Sequence, residues 1–163
     1  MENKLVHEIE LYPLEKFNTL LDYEVNRSRR YGHPVTLIHL AVETDDSGPE
    51  AQYGAENFAI NALNVQLRET DIPCRQGNEF LVLMPSTDEQ GGRVVGERLE
   101  KLFHVESQIY DKVSFKLLVY IGMATLSGDR SISSGKLKDQ ASQALEHARK
   151  NQTSKTVFFT DIK

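Results

Sequence analysis

Gln76-Gly77-Asn78-Glu79-Phe80-Leu81-Val82-Leu83-Met84-Pro85 sets a glycine and an asparagine between two short apolar runs. A Gly-Asn pair there is a strong signal for a two-residue hairpin, because such turns need residues that tolerate positive φ. Ile72 to Gln76 and Phe80 to Met84 read as its strands, and Pro85, with no N–H to donate, stops the second. Toward the N-terminus, Phe58, Ala62, Leu63 and Leu67 recur at helical spacing, with an end near Glu69. Before them, Val35-Thr36-Leu37-Ile38-His39-Leu40-Ala41-Val42 has the length and composition of a buried strand, and Thr44 to Pro49 is rich in turn formers. Leu11, Leu14, Phe17, Leu21 and Val25 predict a first amphipathic helix closing near Gly32. Toward the C-terminus, Val94, Val95, Leu99, Leu102 and Phe103 predict a third helix, and Val113 to Ala124 one long strand. After a Ser- and Gly-rich loop from Ser127 to Gly135, Leu137, Ala141, Ala144, Leu145 and Ala148 predict the last helix. Thr156 to Phe159 then predicts the last strand. The order is helix, strand, helix, hairpin, helix, strand, helix, strand. It gives an α/β (α+β) domain with a central antiparallel or mixed sheet of about five strands flanked by helices.

The chain of 163 residues is long enough for one domain with a real core, and it shows no repeat or dividing linker. Residues 1–10 read as an N-terminal lead-in and 11–163 as the domain. Hydrophobic residues at 39% and charged residues at 26% exclude a disordered chain. A net charge of −5 argues against general affinity for nucleic acid or acidic membrane, which needs a basic face. The single Cys74 excludes an internal disulfide framework and fits a reducing compartment. No apolar run is long enough to span a bilayer, and the polar Met1-Glu2-Asn3-Lys4 start is not that of a signal peptide. A cytoplasmic protein without nucleic-acid or membrane partners is expected.

Strand, helix, hairpin, helix, strand is also the core order of the ferredoxin-like, nucleotidyl-cyclase fold. Gln76 to Phe80, with the trailing Leu81 to Thr87, is similar to the signature hairpin of the GGDEF (diguanylate cyclase) family. Arg30-Tyr31-Gly32-His33-Pro34 matches a basic segment before the first strand. Tyr120-Ile121-Gly122-Met123-Ala124 resembles the family's Ser-Ile-Gly-Val-Ala strand end, and Ala141 to Arg149 its Ala-Asp-x-Ala-Leu-Tyr-x-Ala-Lys helix. The resemblance covers almost the whole chain. It implies bacterial signal transduction through cyclic di-GMP by a dimer, usually behind a sensor domain.

Joining two GTP molecules is phosphoryl transfer, which relies on metal ions to neutralise phosphate charge. In the family, the carboxylates for Mg²⁺ are an Asp ending the first strand and the acidic third residue of the hairpin motif. The matching positions are Ala41 and Asn78, neither of which is a carboxylate. Gln76 replaces the first motif glycine while Gly77 keeps the second. Glu43 and Glu79 remain as neighbouring acids. Arg149 keeps the charge of the family's phosphate-contacting Lys, and Thr153 stands where an Arg is expected, with Lys155 nearby. No convincing match to the guanine-recognising residues falls in 48–60. The expectation is a domain without catalysis and without a cofactor, Mg²⁺ entering only with residual GTP binding.

Arg68-Glu69-Thr70-Asp71 is similar to the family's Arg-x-x-Asp inhibitory site, and the second Arg of that site falls on Arg98. The arginine fork suits guanine O6 and N7 or phosphate, and a carboxylate accepts from the guanine N–H edge. The hairpin motif follows Asp71 after four residues, where the family usually has five, and Pro73 lies among them. A chance surface pair closing a helix is the bland reading. Three functions stay open: a non-catalytic cyclic di-GMP receptor, a nucleotide-independent dimerisation or interaction module, and a weak cyclase or GTP binder using Glu43 and Glu79. His39 and His104 have no metal-spaced partners and read as structural or surface residues, and Cys74, with no catalytic partner, reads as a packed or exposed inert thiol.

Overall fold

In the computed structural model, which describes residues 11–46, 48–104, 108–110 and 112–162, the hairpin forms where the Gly-Asn pair places it. The elements run α1 (Leu14–Tyr31), β1 (Val35–Thr44), α2 (Pro49–Gln66), β2 (Ile72–Gln76), β3 (Glu79–Pro85) and α3 (Glu89–Phe103). Then follow β4 (Gln108–Tyr110), β5 (Val113–Phe115), β6 (Leu117–Leu126), α4 (Ser134–Lys150), β7 (Val157–Phe158) and a 3-10 turn (Phe159–Asp161). Gln76 pairs with Glu79 across a turn in which Gly77 has φ +63 and Asn78 does not enter the left-handed region. That is the type II′ arrangement, with glycine at the first central position. The expected lead-in 1–10 lies outside the described residues.

The main sheet has five strands in the order β2-β3-β1-β6-β7, antiparallel except where β6 meets β7. Strand alternation sends β1 residues to two faces. Ile38, Leu40 and Val42 join Phe80, Val82, Met84, Val119 and Ile121 in the core under α2 and α3. On the opposite face Val35 and Leu37 pack under α1 and α4 with Phe17, Leu21, Val25, Leu137 and Ala141. Phe17, Leu21 and Val25 lie four residues apart and are almost wholly buried, each contributing about 1.5–3 kcal/mol. Asp88 caps α3 by accepting the Gly91 N–H at 2.8 Å, and Ser133 caps α4 by accepting the Lys136 N–H at 3.1 Å.

Two expectations are corrected. The run Val113 to Ala124 is not one strand. It breaks at Lys116, whose N–H reaches Asp45 Oδ1 at 2.8 Å and whose carbonyl accepts the Asp45 N–H at 3.2 Å. β5 instead pairs with β4 in a separate two-stranded sheet. The second helix ends at Gln66, short of Glu69, because Leu67 turns to extended backbone and Asp71 captures the Arg68 N–H at 2.8 Å.

α4 closes in a Schellman-type turn, Thr153 N–H bonding Ala148 O and Gln152 N–H bonding Arg149 O, both at 3.1 Å. Its left-handed position is held by Gln152 at φ +51, with an exposed side chain. Relieving that conformation in Gln152→Gly is expected to stabilise the domain by about 1 kcal/mol after glycine's own entropy loss. A thermal melt should show the midpoint rising by roughly 2–4 °C.

Candidate functional site

The face of β1 that carries Val35 and Leu37 changes character along its length: His39, Ala41 and Glu43 follow on the same side. In the ladder Ala41 stands opposite Glu79 of β3 and Tyr120 of β6. His39, Ala41, Glu43 and Glu79 therefore share one patch beneath the C-terminal half of α4. Gly122, opposite His39, lets α4 lie against the sheet there.

Arg149, from the last turn of α4, is the hub of this patch. Its Nε lies 3.1 Å from Glu43 Oε2 and its Nη2 3.3 Å from Glu79 Oε2, while Nη1 bonds Glu146. Partial burial pulls its pKa down, but the charge of Glu146 and the hydrogen bonds to Glu79 and Glu43 outweigh it, so the guanidinium is held above its ordinary value. The other oxygen of Glu79 lies 2.7 Å from His39 Nε2, and His39 Nδ1 lies 2.9 Å from Ser142 Oγ. Sequence reasoning missed His39 as a member. Period two along β1 and the hairpin register were the available signals, since a residue two before Ala41 is a diagonal neighbour of Glu79.

Ala41 is fully buried and offers a methyl group. Asn78 donates its Nδ2 to Val42 O at 3.1 Å, and Gln52 Nε2 donates to the same carbonyl at 3.1 Å. Gln52 also bonds Glu56, which pairs with Arg75 of β2; Arg75 Nε in turn reaches Gly77 O at 2.8 Å. Polar side chains thus bridge α2 and the hairpin. Gln76 is exposed at the turn, and Thr153 is used in closing α4. Among the described residues, no three His, Cys, Asp or Glu side chains converge as metal ligands.

Arg68, Asp71 and Arg98 line a second, shallow pocket of about 280 Å³ at the far end of β3, together with Ser86 and Thr87. Asp71 is not displaced outward by the short connection to the hairpin: its side chain is 1% exposed. Both its oxygens serve Arg68, Oδ2 accepting the backbone N–H at 2.8 Å and Oδ1 accepting Nη2 at 3.0 Å. The same Nη2 lies 3.1 Å from Pro85 O and 2.7 Å from Thr87 Oγ1. The guanidinium plane is therefore fixed, although 52% of the Arg68 side chain is exposed. Cys74 is buried, and that burial pushes its thiol pKa up, which makes it unreactive. A cavity of about 720 Å³ between the end of α3 and the outer edge of β6 holds His104 but none of the candidate site residues. None of the helices among the described residues is long and apolar enough to cross a membrane.

Residues 51–155 match the diguanylate cyclase GGDEF domain family. No curated protein matches the chain. Among solved structures, the GGDEF domain of DgcB from Caulobacter crescentus, in complex with c-di-GMP, superposes with a TM-score of 0.78 at 16% identity, covering 98% of this chain and 99% of that one. The active GGEEF domain of a diguanylate cyclase from Vibrio cholerae gives 0.78 at 16% identity over 92% of this chain and 98% of that one. Diguanylate cyclase SiaD from Pseudomonas aeruginosa, solved with its activator SiaC, gives 0.74 at 22% identity over 91% of this chain. The chain spans 58% of SiaD's length. At these identities the structural likeness speaks for the fold.

Proposed function

The chain belongs to the GGDEF domain family, and we propose that it is a non-catalytic member that binds cyclic di-GMP through Arg68 and Arg98, with Asp71 holding Arg68 in place. The observation that carries this reading is that three side chains from two separate segments line one pocket. Two arginine forks on one concavity suit a ligand that offers guanine edges and phosphates. Fixing the guanidinium before the ligand arrives lowers the ordering cost of binding. Since both Asp71 oxygens already serve Arg68, the acid acts as a positioning residue. Loss of catalysis is supported by the methyl group of Ala41, the donor amide of Asn78 and the bridged gap between α2 and the hairpin.

Calorimetric titration with cyclic di-GMP is expected to give micromolar or tighter binding. Arg68→Ala should weaken it by about 100-fold, equivalent to roughly 2.7 kcal/mol. Asp71→Asn should weaken it less, with the melting temperature reported alongside. Cyclic di-GMP made from GTP with Mg²⁺ or Mn²⁺ would sink the non-catalytic part of the reading. The internal saturation of Asp71 favours a second reading, in which the pair is a structural clasp and the domain works as an interaction module. No heat with cyclic di-GMP from folded protein would decide for that module. Either way the domain acts through a second copy or a signalling partner, which sedimentation with and without the ligand would read.

A further inference from the structure

A divalent cation, in the arrangement the family resemblance implies, would sit between the end of β1 and the hairpin turn, and the residues here do not fit it. The Ala41 side chain has no oxygen, and Asn78 offers an uncharged amide, its Nδ2 donating to Val42 O, where a carboxylate is needed. The two acids left nearby, Glu43 from β1 and Glu79 from β3, both reach Arg149. We propose that Arg149 is the chain's own cation at this centre, tethered between Glu43 and Glu79 in place of a metal ion and closing the centre to divalent cations.

A guanidinium is permanently charged, and its planar fork can serve several carboxylate oxygens at once. It is delivered by the last turn of a helix seated on the sheet, so its local concentration is fixed by the fold. A hard cation such as Mg²⁺ or Mn²⁺ takes one or two protein carboxylates and completes its shell with water, so Glu43 and Glu79 would suffice if they were free. Neither is free. Glu79 Oε1 is held by His39, which Ser142 orients, and Oε2 faces Arg149. Glu146 takes the remaining Nη1, so three carboxylates face one guanidinium and leave negative charge in excess. An incoming triphosphate meets that excess with no unengaged cation on Arg149.

The inference deepens the non-catalytic reading of this centre but is independent of the cyclic di-GMP pocket, and its test uses neither nucleotide. Mn²⁺ uptake would be followed by the loss of the free-ion electron paramagnetic resonance signal, with thermal melts in parallel. Wild type at millimolar Mn²⁺ should leave the ion free and its melting temperature unmoved. Arg149→Gln should take up a single ion per chain and gain thermal stability on adding Mn²⁺, because an ion bound only to the folded state stabilises it. The double variant Arg149→Gln with Glu79→Gln should lose that uptake. Arg149→Met, which keeps the apolar stem, serves the same measurement if the Gln variant does not fold. Wild-type uptake abolished by Glu79→Gln would overturn the proposal. So would absence of uptake in both folded Arg149 variants, since the carboxylate geometry and not Arg149 would then exclude the ion.

Discussion

Gly122→Ala is expected to destabilise the domain by about 3 kcal/mol or more, at the upper end of overpacking costs. A Cβ at this position would stand 2.6 Å from Ala141 O and 2.7 Å from Leu145 Cα, and closer still to Leu145 N. All three are backbone atoms of α4, so no side-chain rotation relieves the clash. The helix must lift, and with it go the buried Ala141, Ala144 and Leu145 and the delivery of Arg149 to its acids. For a domain of this size the melting temperature should fall by roughly 6–12 °C. A change of less than a degree would mean that α4 does not sit on β6 as described.

Phe80→Ala should cost about 3–5 kcal/mol, the range for emptying a buried phenylalanine site. Phe80 is fully buried in the core under α2 and α3, opposite Leu40 on one side and Arg75 on the other. The Arg75 guanidinium lies 5.8 Å from its ring centre. The substitution would be read by urea unfolding, as a lower midpoint at unchanged slope. A cost under 1 kcal/mol would remove the claim that the end of the hairpin motif is a packing element. Glu79 and Phe80 are adjacent yet face opposite sides of β3, which separates the polar patch from the core within one residue.

Much of the architecture can be read from local pattern. Gly77-Asn78 fixes the hairpin, and the four-residue recurrence of Phe17, Leu21 and Val25 fixes α1. The break at Lys116 leaves no such trace. Val113, Phe115, Leu117 and Val119 stay in phase across it, so the hydrophobic alternation is unaffected while the pairing partner changes. What sets the break is Asp45, far away in sequence, which accepts the Lys116 N–H on its carboxylate and donates its own N–H to the Lys116 carbonyl. The end of α2 is similar: Leu67 keeps helical spacing from Leu63, but Asp71 draws the Arg68 N–H out of the helix. For the candidate pocket, the spacing of Arg68 and Asp71 is legible, and the inward burial of the carboxylate is not. Arg149 reaches Glu43 and Glu79 across long stretches of chain, which no window along the sequence can join.

The divided face of β1 has a consequence for how such a chain changes over generations. Val35 and Leu37, at one end, answer to packing, whereas Glu43, at the other, answers to charge. The two ends meet different parts of α4, whose Leu137 and Ala141 pack with the first and whose Arg149 pairs with the second. Selection for a packed fold therefore bears directly on the first end and reaches the second only through the seat of α4. Chemistry at the strand's end can drift, be lost or be recruited for something new while the scaffold is inherited intact.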